Sequence, residues 1–278
     1  MPLPILSNHQ PPPGRSDLVR FYHRTELHWS RQLAAEETPL DFGVVLFNPD
    51  LSDVADANMI FDAALSEEVS SADRAIAEAE AFFQSRGRRC RMWVLNPSAP
   101  QEQTQPLAEK LVDSGYEKRG YDIMHLASPP PGKIEEVGGL TIIPARASFR
   151  HARELSTVAA REWGRAQLGD AQVLHLEDPQ TDALIAIKGG KAAALVSVLS
   201  VGDLGCIENL YVVENFRGQG IGRTMMSRAM EICMRSLFKH TFIGVNADNA
   251  AAVALYTRFG FQKVGDFVYY QMPYETRP

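Results

Sequence analysis

The sequence predicts an α/β (α+β) protein with two tandem domains, each a mixed, mainly antiparallel sheet flanked by helices. Its 278 residues, 45% of them hydrophobic, are enough for two domains with separate cores. Three prolines and a glycine within residues 128–133 form the strongest break, because proline supplies no backbone donor. The same order of helix, strand, helix and strand ends both parts. We therefore expect domains at residues 1–127 and 140–278, joined by a linker at 128–139.

The first domain ends in a pattern that returns at the end of the chain. It contains a predicted helix at residues 71–85, an apolar strand at 90–95, a helix at 106–113 and a strand that ends at Leu126. The pair Gly115-Tyr116 then corresponds to Gly260-Phe261, with a short insertion in the first copy. We interpret this as a repeat, although two unrelated α/β domains can share such an ending.

The second domain alternates strand and helix patterns over its whole length. A strand at 140–143 precedes a helix at 148–163, and the pair Gly189-Gly190 joins two strands at 183–187 and 192–200 into a hairpin. Further elements are predicted in the following order: a strand at 206–213, a helix at 221–238, a strand at 241–245, a helix at 250–258 and a strand at 263–272. Gly260 lies where a helix C-cap is expected.

Composition excludes several classes of protein. The net charge of −6 argues against nucleic-acid binding, which relies on a surplus of Lys and Arg. The three cysteines lie apart from one another and outside any CxxC or Cys/His pattern, so neither structural zinc nor a disulfide framework is indicated. No apolar stretch approaches the roughly 18 residues of a membrane span, and the first residues lack a secretion signal. We expect a cytoplasmic protein with no metal, nucleic-acid or membrane partner.

A glycine-rich turn joins the strand at 206–213 to the helix at 221–238. Gly218, Gly220 and Gly222 leave the backbone open for a pyrophosphate at the start of the helix, and Arg217 adds a positive charge. Such turns also occur for geometric reasons alone. A dinucleotide fingerprint needs its third glycine one place later, where Arg223 stands, and the Gly-Lys of a P-loop is missing.

Residues 210–222 as a whole resemble the strand, turn and helix of the GNAT N-acyltransferases. The family pattern Q/R-x-x-G-x-G/A is met by Arg217, Gly220 and Gly222. A second family element, an Asn-rich strand end followed by a Leu-Tyr helix and a Gly-Phe turn, is similar to residues 246–249, 255–256 and 260–261. The resemblance covers about half the chain and implies a GNAT fold for the second domain.

The resemblance also implies roles for individual residues. Acetyl-CoA, as acyl donor, would be bound by Leu210, Tyr211, Val212, Arg217, Gly218, Gln219, Gly220, Ile221, Gly222 and Asn249. Tyr256 would protonate the departing thiolate, unless it is only a half-buried aromatic residue of an amphipathic helix. A main-chain N–H near Tyr211 would face the acyl oxygen. Asn246 is as readily explained as a local turn residue.

The acceptor side is less defined by sequence. A lysine-like amine is almost fully protonated at neutral pH, so a base must take its proton, and Glu208 is the best-placed carboxylate. Glu208 could equally face solvent or pair with an arginine. Glu162, Trp163 and Arg165 fall where the family commonly lines its acceptor pocket. Cys206 is better explained as a buried thiol than as a nucleophile.

The first domain, compared with the second, lacks the parts that would bind CoA. It has no glycine between residues 44 and 86, and Leu111 stands where the second domain has Tyr256. We expect a degenerate GNAT-like copy that packs on the active one. Its polar turns at 48–50 and 53–58 could reach an amine, or could simply be solvated loops.

The function implied by these features is transfer of an acetyl or other acyl group from acetyl-CoA to a primary amine of a small molecule or peptide. Direct attack within a ternary complex is expected, in a monomer or homodimer. The alternative is an acyl-CoA-binding sensor or scaffold without catalysis, in which the donor site is kept and the acceptor site is not.

Overall fold

The computed structural model describes residues 12–128, 137–166 and 168–273. Most of the proline-rich linker predicted at 128–139 therefore lies outside the described residues, as do residues 1–11. Within these ranges the helices are α1 (Arg15–Arg31), α2 (Ala72–Gln84), α3 (Gln101–Asp113), α4 (Phe149–Glu162), α5 (Leu168–Ala171), α6 (Ile221–Arg235) and α7 (Ala250–Arg258).

Eleven strands are formed by the described residues. They are β1 (Glu36–Leu40), β2 (Gly43–Phe47), β3 (Met59–Ala63), β4 (Met92–Leu95), β5 (Glu117–Leu126), β6 (Leu140–Pro144), β7 (Thr181–Lys188), β8 (Lys191–Val201), β9 (Leu204–Val212), β10 (His240–Val245) and β11 (Phe261–Gln271). Most neighbouring pairs are antiparallel, and β3–β4 and β9–β10 are parallel. The predicted mixed, mainly antiparallel α/β architecture is confirmed.

The two halves of the chain share a single sheet rather than forming two separate ones. The strand order is β1-β2-β3-β4-β11-β5-β10-β9-β8-β7-β6. The last strand of the C-terminal half, β11, thus lies between β4 and β5 of the N-terminal half. Conversely, β5 lies between β11 and β10. Each half completes the sheet of the other, and the long antiparallel β5–β11 pair runs along the centre.

Local details repeat between the halves. Asn96 accepts a hydrogen bond from the N–H of Ser98 (2.8 Å), and Asn246 accepts one from the N–H of Asp248 (3.1 Å), at the ends of β4 and β10 respectively. The glycines after α3 and α7, Gly115 and Gly260, have φ of 89° and 92°. A glycine tolerates this left-handed conformation at a helix end without strain. These features support the repeat that the sequence suggested.

Helices cover both faces of the sheet. The buried side chains of α6 pack with Ile207 and Ile243, whereas Leu18 and Tyr22 of α1 pack with Cys206 and Phe242. Because side chains alternate along a strand, α6 and α1 lie on opposite faces. Among the described residues, no helix has both the length and the apolar character needed to cross a membrane.

Some boundaries differ from the sequence prediction. Helix α3 begins at Gln101 rather than at residue 106, and Pro106 lies within it; a proline so close to the start of a helix forfeits only one backbone hydrogen bond. Helix α6 ends at Arg235 rather than at residue 238, because Leu237 has a φ of 55°. Helix α1 and strands β1 to β3 were not predicted.

Candidate functional site

Strands β9 and β10 separate partway along their length. Their parallel pairing covers residues 204–207 and 240–243 and then stops, although β9 continues to Val212 and β10 to Val245. On its other side, β9 has a bulge against β8: Glu208 pairs with Ser197 but Tyr211 pairs with Leu195. Asn209, within the bulge, has a φ of 53°. From Glu208 onward, β9 therefore presents an open backbone edge where Leu210, Tyr211 and Val212 were expected to bind the donor.

The glycine-rich turn lies directly after this open edge. Gly218 and Gly220 have φ of 74° and 79°, and Gly220 is the N-cap of α6. The first intrahelical bond runs from Thr224 N–H to Gly220 C=O, so the N–H groups of residues 221–223, including Ile221, point out of the helix end. A side chain at Gly218 would meet nothing within 4 Å, so the turn is open to a ligand. This backbone fits a pyrophosphate.

Other residues of the motif have local contacts. A Cβ at Gly222 would lie 3.5 Å from Val212 Cγ2, an ordinary van der Waals distance, so α6 packs on β9 here with room for a small side chain. Lys188 Nζ donates a hydrogen bond to Gln219 Oε1 at 2.6 Å, which brings a cation from β7 next to the turn.

Arg217 links the glycine-rich turn to β9 and α4. Its Nε donates to the carbonyl of Val212 (2.9 Å), and its guanidinium forms an ion pair with Glu162 at the end of α4. Tyr211 Oη also donates to Glu162, at 2.6 Å. Partial burial acts to raise the pKa of Glu162, but the hydrogen bonds from Tyr211 and Arg217 outweigh it and lower that pKa. Glu162 thus lies beside the donor turn, and Trp163 packs edge-on against the Tyr211 ring.

Tyr256 lies on α7, next to α6, and Asn249 is the N-cap of that helix. The Asn249 side chain accepts a hydrogen bond from Ala252 N–H (3.1 Å), so in this structure it caps the helix. Tyr256 is buried in the apolar cluster that α6 and α7 form with β9 and β10. Burial raises its phenol pKa, and the charge of Glu208 raises it further. The phenol therefore stays protonated, as a proton donor must.

Glu208 is half-buried at the point where the two strands separate. Burial raises its pKa, and the charge of Glu26 raises it further. The buried thiol of Cys206 donates to Glu208 Oε1 at 2.9 Å, and burial also raises the thiol pKa. Cys206 is thus a protonated, structural thiol, as expected. A carboxylate with a raised pKa is suited to accept a proton near neutral pH.

Three residues of the N-terminal half lie close to Glu208 and were not predicted from the sequence as site residues. The phenols of Tyr22 and Tyr121 have their oxygens 3.3 Å apart, and both face the carboxylate of Glu26 on α1. Gly244 is the residue of β10 that follows the last position paired with β9. A Cβ at Gly244 would lie 2.5 Å from Tyr22 Oη. The helical spacing of Leu18, Tyr22 and Glu26 was the available indication, since it places a carboxylate on the buried face of α1.

The acidic turn of the N-terminal half also meets the C-terminal half. Asp56 forms an ion pair with Arg165, one of the residues expected near the acceptor. From the segment after α4, Gln172 Nε2 donates to Asn209 Oδ1 at 3.4 Å, so this segment lies over the bulge. The sequence left open whether the turn is merely solvated, and Asp56 is only 20% exposed.

The corresponding part of the N-terminal half is closed. Asp62 of β3 has a φ of 58°, matching Asn209, and Phe61 therefore stands where β9 has Glu208. Beyond the irregularity, β3 stays paired with β4 through Ala63 and Leu95, and Asn96 N–H donates to Ala63 C=O at 3.0 Å. Leu111, opposite Tyr256, is fully buried. At the corresponding positions of the described N-terminal residues, the strands thus stay paired, Phe61 replaces the carboxylate and Leu111 replaces the phenol.

Comparison with known proteins extends these observations. Residues 147–261 match the family model described as the acetyltransferase (GNAT) family. A protein of Bacillus subtilis (strain 168) assigned as a ribosomal protein bS18 alanine N-acetyltransferase is 31% identical over 32% of this chain and 60% of its own length. The N-acetylaspartate synthetase of Danio rerio is 27% identical over 40% of each chain. The chain thus spans less than two thirds of either relative.

The fold of the whole chain also has a solved counterpart. A GCN5-related N-acetyltransferase from Kribbella flavida superimposes with a TM-score of 0.64 at 15% identity, over 92% of this chain and 96% of that one. At this identity the likeness concerns the fold alone.

No group of three or more His, Cys, Asp or Glu side chains suited to a metal ion occurs among residues 12–128, 137–166 and 168–273.

Proposed function

We propose that this chain transfers an acyl group from acetyl-CoA to a primary amine, because residues 147–261 match the model of the acetyltransferase (GNAT) family. The acceptor is a small molecule or a peptide, and both substrates are bound at once. The observation that carries the proposal is the separation of β9 from β10 at Glu208, directly before a glycine turn that is open to a phosphate.

The donor site follows from the open edge and the turn. The edge of β9 at Leu210, Tyr211 and Val212 is not paired with β10 and binds the amides of the pantetheine arm, beside the Val212 carbonyl that Arg217 contacts. The N–H groups at the start of α6 bind the pyrophosphate, with Lys188 nearby. The donor supplies an activated acyl carbon bound to sulfur.

The protein's own contribution to the reaction is three proton transfers and one stabilised charge. Glu208 accepts a proton from the acceptor ammonium, which frees the nitrogen lone pair to bond to the acyl carbon. A main-chain N–H of the bulge near Tyr211 stabilises the charge that develops on the acyl oxygen. Tyr256 donates its proton as the carbon–sulfur bond breaks and recovers one from the second proton of the nitrogen.

The proposal is tested by measuring release of the CoA thiol from acetyl-CoA in the presence of a panel of primary amines. Amine-dependent release by the purified chain is the expected result. Tight CoA binding without turnover on any amine, aminoglycoside or peptide would instead identify a sensor or scaffold.

The donor site has a separate test in Gly220. Leucine at position 220 would have to adopt the left-handed φ that Gly220 has, which strains a residue with a side chain. Its Cβ would also lie 3.3 Å from Val137 Cγ2. We expect Gly220→Leu to abolish CoA binding, measured by calorimetry. Gly202→Leu is the matched control, because Gly202 has a φ of 62° with no atom within 4 Å of its Cβ position, in the turn between β8 and β9. Equal CoA affinity in both variants would refute the assignment of the turn.

A further inference from the structure

We propose that the acceptor amine binds as a cation between Glu26 and Glu208, so that α1 of the N-terminal half completes the acceptor site of the C-terminal half, and that the acceptor carries no carboxylate next to its nitrogen. This inference rests on the proposed acyl transfer and names the acceptor class and a further residue of that site.

The position of Glu26 follows from the two faces of the sheet. Cys206 and Glu208 alternate with Ile207, so the Glu208 side chain shares the face that α1 covers. The donor turn belongs to α6, on the opposite face. The two faces of the sheet are connected through the gap where β9 and β10 separate. Glu208 is the first residue of β9 after its last position paired with β10. An acceptor that approaches from the α1 face therefore meets Glu208 and the donor at one point.

Side chains from the N-terminal half surround this point. Gly244 is the first residue of β10 beyond the paired segment, and its missing side chain leaves room for Tyr22 Oη and the Tyr121 ring, at 2.5 and 2.8 Å from the Cβ position. Both phenols face the Glu26 carboxylate. Glu26 and Glu208 are each only half-buried, so a small ligand can reach them.

The charges around this point favour a cation. Two carboxylates share it, and the pKa of each is raised, chiefly by burial. Among the described residues, Arg165 is the cation that acts on Glu26, and it also forms an ion pair with Asp56. Burial of two neighbouring carboxylates is costly, and an ammonium between them reduces that cost. A carboxylate on the acceptor, next to its nitrogen, would be repelled by the same pair.

Glu26 therefore acts as a positioning residue that holds the ammonium while Glu208 takes its proton. Its charge has a second consequence, since it raises the pKa of Glu208. The groups that face the pair are Tyr22 from α1, Tyr121 from β5, Cys206 from β9, Tyr256 from α7, and the Asp56–Arg165 ion pair.

The experiment compares amino acid amides with the matching free amino acids, for example L-norvalinamide with L-norvaline, together with n-butylamine. These pairs differ in little beyond one carboxylate. Rates of CoA thiol release are measured for the wild type, for Glu26→Gln and for a control, Glu78→Gln, an exposed carboxylate on α2. We expect the wild type to use the amides and the simple amine and to reject the free acids.

Glu26→Gln keeps the shape of the side chain and removes its charge. We expect KM for the amine to rise about tenfold, the equivalent of one charge-assisted hydrogen bond, with CoA affinity unchanged. The acidic limb of the kcat/KM profile should move to lower pH, because Glu208 loses a neighbouring charge that raises its pKa. Glu78→Gln should change neither. Preference for the free acids, or an unchanged KM and pH profile in Glu26→Gln, would overturn the inference.

A binding measurement separates this inference from the proposed function. Calorimetry of n-butylamine and L-norvalinamide, in the presence of CoA, needs no turnover. Binding to the wild type that is lost in Glu26→Gln supports the inference even if no amine is acylated. Absence of binding to the wild type refutes it, even if CoA binds.

Discussion

At the scale of single residues, Glu26 and Glu208 make folding sensitive to pH. Both carboxyl groups have a pKa raised above the unfolded value, so the folded chain keeps protons that the unfolded chain has lost. Stability is therefore fully present below the unfolded pKa and falls as pH rises toward the folded pKa. We expect Glu26→Gln to be more stable than the wild type at pH 9 and equally stable at pH 4, by thermal unfolding monitored by circular dichroism.

Glu78→Gln serves again as the control, because Glu78 is exposed and paired only with Arg74 on the same helix. Its melting temperature should follow the wild type across the whole pH range. A wild type that is as stable as Glu26→Gln at pH 9 would show that the two carboxylates carry no burial cost.

Tyr256 gives a second prediction at this scale. Tyr256→Phe removes one oxygen from a buried position and leaves the ring in the cluster between α6 and α7. We expect kcat to fall on the order of 100-fold, as for loss of a general acid, with CoA affinity changed little. Tyr270→Phe is the control, since Tyr270 is a buried tyrosine on the far part of β11, in the cluster of the N-terminal half. Equal loss of kcat in both variants would assign Tyr256 a packing role.

At the scale of elements, the two irregular strands show why only the C-terminal half has the open strand edge that we propose as the donor site. Asn209 and Asp62 have nearly the same φ, 53° and 58°. Only after Asn209 do the neighbouring strands separate, whereas β3 and β4 resume pairing at Ala63 and Leu95. A bulge alone is thus not sufficient to open a strand edge for a ligand. The β3–β4 pair has a similar irregularity, but its strands stay paired and use their backbone groups for each other.

This contrast predicts one CoA per chain. In the N-terminal half, β3 stays paired with β4, and no glycine occurs between residues 44 and 86. Isothermal titration with CoA should give a stoichiometry of one, and Gly220→Leu should remove all of the binding. Half of the sites remaining in that variant would reveal a second site in the N-terminal half.

The elements also show which parts of the structure could be predicted from sequence. Helix α7 was predicted to the residue, and the C-terminal strands to within a few residues, because glycines and alternating apolar residues mark their ends. Glu208 and the turn lie in one continuous segment, so a local pattern was enough to propose them as site residues. Glu26 and Tyr121 were missed, since they meet Glu208 only through pairing and packing between distant segments, which no local pattern records.

At the scale of the whole molecule, the two halves depend on each other. Strand β5 fills the place between β10 and β11, and β11 fills the place between β4 and β5. We propose that the division at residues 128–139 separates two sequence repeats but not two units that fold alone. The same interleaving brings α1 onto β9 and so places Glu26 at the proposed acceptor site.

The interleaved sheet predicts a single cooperative unfolding transition, measured by calorimetry, instead of two. It also predicts that a fragment of residues 134–278 is insoluble or unfolded alone, because β10 and β11 lose the strand between them and expose edges and apolar faces. Co-expression with residues 1–133 should restore a soluble complex that binds CoA, since β5 and α1 return with that fragment. A folded 134–278 fragment with native acyl transfer would contradict both the interdependence of the halves and the contribution of Glu26.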